Sequence, residues 1–367
     1  MVGVVLVLIS VGLLIASPLC VAMLHISKRV GWFDDVGLEA HKRHDRAVVN
    51  TGGVAIFWAV VLPIVGVLGV VWIVPTNLWP KVIALHVPGV RGVTPIALLV
   101  VGAMTVMHTV GLFDDRRAMG PGPKLAAQLI VAAVLAIAAD MRVLHMLDEL
   151  GSIGYVASVL ISIVWISIII NAFNFLDNMD GLAGGVALII ASLYLVVTLV
   201  GGQWFVAGLS AALVGALLGF LWFNLPSARL FMGDSGSLVI GTLLAIISVR
   251  TTYFDSHNDT RQIHALLMPV VMMAVPLYDF FSVTIIRLLQ GQSPFRGDHN
   301  HFSHRLVKLG LSRRRAVGLI WICALTTAMS GVLLGSLDGN MAIIATIQAM
   351  AVLTILAVLE SGVKRVS

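Results

Sequence analysis

The stretch VLISIVWISIIINAFNFLDNMDGLAGGVALIIASLYLVV, Val159 to Val197, decides the fold. Each of its apolar runs belongs to a segment of about 20 residues, the length a helix needs to cross a bilayer. Between them stands NFLDNMDGLAGG, Asn174 to Gly185, with Asp177 and Asp180 three residues apart and no basic residue. Acids so near a hydrocarbon boundary are expensive and are kept for a functional or pairing reason.

The rest of the chain has the same character. Of its 367 residues 59% are apolar and 11% charged, with a mean hydropathy of +1.01; a soluble domain carries roughly 25% charged residues. No polar stretch is long enough to bury a core of its own, so a single polytopic membrane domain is expected over residues 1–367. The apolar segments predict an all-α bundle of about eleven transmembrane helices. They lie at 2–24, 52–74, 94–113, 123–140, 153–173, 182–200, 204–223, 236–249, 264–289, 316–336 and 340–359, the eighth being short. Their Gly and Ala content suits close helix packing in lipid. Cys20 and Cys323 sit in separate apolar runs, which implies neither a disulfide framework nor a metal cluster. Val2 to Leu24 lacks a basic leader and a small-x-small site, so it reads as a retained span.

Charge then orients the bundle. Of the 23 Lys and Arg residues, 18 fall in the odd-numbered connections and the C-terminus; only Lys81, Arg91, Arg142, Arg250 and Arg261 fall in the even ones. Cytoplasmic loops carry the positive excess. An outside N-terminus and a cytoplasmic C-terminus follow.

The same count sorts the acids. Asp114, Asp115, Asp177, Asp180, Asp234 and Asp298 all fall in connections assigned to the cytoplasm. Singly, each has a plain reading. Asp114 and Asp115 could be a solvated helix end held by Arg116 and Arg117; Asp177, Asp180 and Asp234 could cap helices. Together they need a cation, and hard oxygen ligands of this kind suit Mg²⁺, with Mn²⁺ as a substitute. The basic counterpart is SPFRGDHNHFSHRLVKLGLSRRR, Ser293 to Arg315, with His299, His301 and His304. His301 and His304 could share zinc but lack Cys and Glu partners. Arg, Lys and His beside an acid cluster read better as phosphate holders around a metal. Arg313, Arg314 and Arg315 read as an anchor on anionic lipid. Asp279, in VPLYDFF, is either a buried packing acid or a site wall, and Asp34, Asp35 and Glu39 read as a solvated loop face.

Five motifs in order carry a resemblance: HKRHDRAVVNTGG (His41 to Gly53), GLFDDR (Gly111 to Arg116), NAFNFLDNMDGLAGG (Asn171 to Gly185), ARLFMGDSGSLVIG (Ala228 to Gly241) and DHNHFSHRLVKLGLS (Asp298 to Ser312). Over nearly its whole length the chain resembles the polyprenyl-phosphate N-acetylhexosamine-1-phosphate transferases, relatives of the phospho-MurNAc-pentapeptide translocase. It departs from them at Ser303, where a further histidine is usual, and in a first loop with fewer prolines and lysines.

The resemblance implies transfer of HexNAc-1-phosphate, in the first place GlcNAc-1-phosphate, from a UDP-sugar to undecaprenyl phosphate, starting O-antigen or a similar surface glycan. UDP-QuiNAc, UDP-FucNAc or UDP-GalNAc are the alternative donors. It implies Asp234 as a Mg²⁺ ligand with Asn174 as its neutral partner. Asp177, Asp114 or Asp115, Lys124 and His301 would serve catalysis; Asp180 and Phe231 would meet the uracil; His304 and Arg305 would hold diphosphate or sugar. The expected partners are UDP-HexNAc, undecaprenyl phosphate and the lipid bilayer of a bacterial inner membrane, with no nucleic acid; a homodimer is compatible with the chain. The main rival class, a secondary transporter, should place its acids near mid-bilayer and show repeated halves. A CDP-alcohol phosphotransferase would carry a tight DG…AR…G…D…D run, which is absent.

Overall fold

The computed structural model of the chain describes residues 2–31, 48–251, 266–293, 300–334 and 339–361. Asp34, Asp35, Glu39 and the motif from His41 to Ala47 lie outside the described residues, as do Arg296, Asp298 and His299. The described chain is helical, with one isolated parallel bridge between Val49 and Leu230. Its helices are α1 (Val2–Val30), α2 (Gly52–Ile73), α3 (Lys81–Ala84), α4 (Val87–Arg116), α5 (Pro121–Ala138), α6 (Ser152–Leu176) and α7 (Leu182–Val200), then α8 (Trp204–Asn224), α9 (Asp234–Arg250), α10 (Met268–Met272), α11 (Ala274–Leu289), α12 (Phe302–Lys308), α13 (Arg313–Leu334) and α14 (Gly339–Ser361).

Nine of the described helices, α1, α2, α4 to α8, α13 and α14, are long and apolar enough to cross a membrane, and the protein is a multi-pass integral membrane protein. At 17 residues, α9 is shorter, yet every residue from Ser235 to Ser248 is buried. It is apolar on all faces because protein, not lipid, surrounds it: α4 and α6 flank it most closely, with α2, α7 and α8 around them.

The segment 264–289, expected as one span, is broken. α10 ends at Met272 and α11 starts at Ala274. The cause is Pro276, which has no N–H for the Met272 carbonyl and whose ring would crowd it.

Small residues set the most extensive helix pairing in the bundle. α1 lies against α8, where a Cβ on Gly12 would meet the Ala212 carbonyl at 3.1 Å and one on Gly219 the Ala16 Cβ at 2.6 Å. In lipid, such close backbone approach replaces the hydrophobic drive that packs soluble helices.

At the end of the bundle away from the acid motifs, buried Arg142 reaches both Asp148 carboxylate oxygens, at 2.7 and 2.9 Å, and Asp140 at 2.7 Å. The Tyr155 ring lies 4.5 Å beneath its guanidinium. These contacts hold the connection between α5 and α6. The forked pair with Arg142 keeps the Asp148 carboxyl below the usual carboxylate range.

Candidate active site

The site is built around the start of α9, the helix that protein encloses. Gly233 turns the chain with φ +66°, and a Cβ there would fall 2.7 Å from both Asp115 carboxylate oxygens. Glycine is required on both counts. The next two N–H groups are orphan donors of the first helical turn. Asp115 accepts both: Oδ1 from Asp234 at 2.8 Å and Oδ2 from Ser235 at 3.0 Å. Asn50 adds an amide donor to Asp115 Oδ1 at 3.3 Å.

Two further glycines let the neighbouring helices reach this backbone. A Cβ on Gly111, one turn before Asp115, would strike the Ser235 and Asp234 backbone; one on Gly53 would strike Gly236 and Ser235. His108 lies one turn beyond, bonded through Nδ1 to the Ser235 carbonyl at 3.0 Å and stacked on Phe57 at 4.2 Å. The segment from Val49 into the first two residues of α2 lies beside Leu230 to Met232. Phe231 N–H donates to the Val49 carbonyl at 2.8 Å, Gly52 N–H to the Phe231 carbonyl at 2.9 Å and Gly53 N–H to the Met232 carbonyl at 2.9 Å. The first, second and fourth sequence motifs thus meet through backbone contacts.

Adjacent residues on a helix point about 100° apart, so Asp114 faces elsewhere. Its Oδ1 accepts the Met119 N–H at 2.8 Å, and its Oδ2 meets Lys124 Nζ at 2.7 Å. Lys124 Nζ is also paired with Asp234 Oδ2. Pro121 and the left-handed Gly120 start α5 so that Lys124 falls in its first turn. One turn on, buried Gln128 exchanges amide bonds with Asn171 and ties α5 to α6. Asn174, a turn beyond Asn171, donates Nδ2 to Asp234 Oδ1 and to Ser237 Oγ, both at 3.0 Å. In this arrangement Asn174 orients Asp234 with its amide nitrogen.

Two carboxylate oxygens, one from Asp114 and one from Asp234, therefore converge on a single cation, here an ammonium. The same donor set fits Mg²⁺, which takes one or two carboxylates and completes its shell with phosphate and water. Among the described residues no three His, Cys, Asp or Glu side chains gather as an all-protein metal cage.

The turn between α6 and α7 joins this centre to the loop before α9. Asn224 accepts the Gly181 N–H and donates to the Leu230 carbonyl, each at 2.9 Å. Asp180 Oδ2 accepts the Ala228 N–H at 3.0 Å. Asp177 follows the last residue of α6, and the Phe231 ring is half-buried.

The histidine motif docks on the same turn. Asp279, fully buried in α11, meets His301 Nδ1 at 3.0 Å through Oδ2 and accepts the Phe302 N–H at 2.7 Å through Oδ1. Of its two sequence readings, the structure supports the buried anchor. Arg287 lies over the Phe175 ring at 5.1 Å, with its guanidinium 3.5 Å from His301 Nε2. Ser303 Oγ donates to Asn178 Oδ1, and the His304 ring stands 6.5 Å from that of His301.

Arg305, expected to hold diphosphate or sugar, is bound within the chain in this structure. Its guanidinium is turned away from the acids into a buried set formed by the Asn300 carbonyl at 2.7 Å, Ser282 Oγ at 2.8 Å and Glu360 Oε2 at 2.8 Å. Through its two terminal nitrogens it ties α12 to α11 and α14. Sequence reasoning also missed Gln128, Arg287 and Glu360. Gln128 carried a signal, one turn after Lys124 on an otherwise apolar helix; Arg287 was hidden among the loop cations.

Comparison with known proteins places the chain among relatives of one family. The model of a family described as "Glycosyl transferase family 4" matches residues 97–252. The chain is 30% identical over 298 residues to a probable undecaprenyl-phosphate N-acetylglucosaminyl 1-phosphate transferase of Bacillus subtilis, covering 80% of this chain and 75% of that protein. It is 37% identical over 246 residues to a decaprenyl-phosphate N-acetylglucosaminephosphotransferase of Mycobacterium leprae, covering 62% and 61%. It is 36% identical over 298 residues to a phospho-N-acetylmuramoyl-pentapeptide-transferase of Symbiobacterium thermophilum, covering 74% and 83%.

Proposed function

The chain belongs to glycosyl transferase family 4, with the polyprenyl-phosphate N-acetylhexosamine-1-phosphate transferases, and on that premise we propose that it moves HexNAc-1-phosphate from a UDP-sugar to undecaprenyl phosphate. GlcNAc is the favoured sugar, because it is named in the relatives from Bacillus and Mycobacterium. The products are undecaprenyl-diphosphate-HexNAc and UMP, the first step of a cell-surface polysaccharide.

The single observation that carries this reading is Lys124 held between Asp114 and Asp234, at the meeting point of three helices. An oxygen of the lipid phosphate attacks the sugar-bearing β-phosphorus. A new P–O bond forms, the bond to the bridging oxygen breaks, and UMP leaves with that electron pair. Two anions must be brought together for this, so fixed positive charge is the main requirement. Lys124 supplies it from the first turn of α5, where a phosphate can displace the carboxylates as its partner. Asp114 and Asp234 would hold Mg²⁺, which when bound neutralises phosphate charge. Asn174 keeps Asp234 aimed, and Asp115 keeps the start of α9 in place. Asp177 faces the diphosphate, while Asp180 and Phe231 take the uracil, one as acceptor and the other as a stacking face. His301 and His304 border the sugar and diphosphate.

The eleven-span topology, with α9 and the broken α10–α11 segment counted, belongs to the same proposal. So do an outside N-terminus and a site on the cytoplasmic face of a bacterial inner membrane. The asymmetry of Lys and Arg supports them. Purified protein with undecaprenyl phosphate, Mg²⁺ and UDP-GlcNAc is expected to release UMP, and a panel of UDP-HexNAc donors identifies the sugar. Release from none of the panel would overturn the transferase reading.

A further inference from the structure

Glu360 lies in the last turn of α14, more than a hundred residues beyond the family match that ends at residue 252. Its side chain is 9% exposed, and Oε2 is paired with Arg305 at 2.8 Å and accepts the Tyr278 hydroxyl at 3.0 Å. A carboxylate drawn inward at the end of an apolar helix, where it could have pointed to the interface, is a costly placement that calls for a purpose.

Arg305 shows what is being held. It belongs to α12, the seven-residue helix that starts just after His301. α12 is fastened to α11 twice. At its start, Asp279 takes the Phe302 N–H and the His301 ring. One turn along α11, Ser282 takes the Arg305 guanidinium. The first fastening is a buried carboxylate with two bonds. The second is a neutral hydroxyl with one bond, and it depends on the guanidinium being held at that spot. Glu360 and the Asn300 carbonyl hold it there. His301 and Ser303 meet Phe175 and Asn178 only while α12 keeps this pose.

We infer that Glu360 is a positioning residue for the proposed transfer. Through Arg305 it fixes α12, and so fixes His301 and Ser303 against the turn that carries Asp177 and Asp180. The last helix is then a working part of the site. The inference rests on the transferase reading for its kinetic consequence but not for its structural one.

The test uses the full-length protein in detergent or nanodiscs, with Glu360→Gln, Arg305→Gln and the double variant Glu360→Gln/Arg305→Gln. Hydrogen exchange over residues 302–308 is expected to quicken in both single variants and in the double. Breaking one side of a buried pair leaves an uncompensated charge, whereas removing both charges is often neutral for stability. The double variant is therefore expected to melt near the wild-type temperature yet keep a kcat lowered by about tenfold or more, with KM changed by less than about threefold. Unchanged exchange over 302–308 in Glu360→Gln overturns the inference whatever the activity. Full kcat in a stable double variant also overturns it, since the pair is then only a tie between helices. If the wild type releases no UMP, the transferase reading falls, and the exchange result still decides whether Glu360 fixes α12.

Discussion

Asp115 accepts the backbone N–H groups of Asp234 and Ser235 and so caps the helix whose first side chain is Asp234. Its neighbour Asp114 faces Lys124. Two residues identical in type and adjacent in sequence thus have separate tasks, one structural and one in the charged centre.

That division is testable. Asp115→Ala leaves two helix-start donors without their acceptor and should lower stability by about 1–2 kcal/mol, as loss of a cap does. Asp114→Asn keeps an acceptor for Met119 and should melt close to the wild type, while kcat falls by about 10²-fold or more, the scale of losing a charge at a transfer centre. Thermal melts beside UMP release check both; equal melting losses in the two variants would refute the division.

Asp234→Asn is expected to abolish turnover while the protein still inserts and folds. The amide keeps shape and can still bond to Asn174 but carries no charge for a cation. Size-exclusion profile and UMP release measure this, and retained activity would remove Asp234 from the centre.

Lys124→Met removes the ammonium between Asp114 and Asp234. Two carboxylates then face one another without it, so kcat should drop by about 10²-fold or more. Added Mg²⁺ is expected to raise the melting temperature of this variant more than that of the wild type, because the competing ammonium is gone. An equal Mg²⁺ response in both proteins would count against a shared cation position.

Gly111→Ala puts a Cβ into the Ser235 backbone and should destabilise by about 1–3 kcal/mol, the usual cost of overpacking. Gly318→Ala, in α13, meets nothing within 4 Å and should stabilise by about 0.5–1 kcal/mol through helix propensity. Thermal melts of the pair separate a glycine needed for contact from one that is not.

The Arg142–Asp148 pair predicts a small acid sensitivity. The folded-state pKa of Asp148 is depressed, so its stabilisation is complete above the unfolded value of about 4 and is lost as pH falls through the folded value. Asp148 itself stands in solvent, so the effect is modest and weakens with salt. Melting temperature followed downward from pH 6 should fall more steeply below about pH 4 in the wild type than in Arg142→Gln.

The membrane class and most helix positions were legible in the sequence because they depend on runs of residue type. An apolar run long enough for a bilayer needs no knowledge of its neighbours. The break at Met273 was also written there, in Pro276, but an uninterrupted apolar run hid it. The acid motifs were legible as a set, since charge in apolar sequence stands out. Partner choice was not. Residue type in a motif such as GLFDDR or ARLFMGDSGSLVIG does not say which helix supplies the charge beside its acid. In the folded chain Asp114 of α4 and Asp234 of α9 share Lys124, which stands on a third helix, α5.

By itself the sequence determined that this is a polytopic helical protein whose acid motifs fall in connections on one side, because hydropathy and charge act residue by residue. Only the tertiary structure decided which aspartate caps and which one pairs, that Asp279 anchors His301, and that Arg305 answers to Glu360. Those outcomes depend on which helix lies beside which. Close approach at Gly53, Gly111 and Gly233 determines that, by letting α2, α4 and α9 meet backbone to backbone.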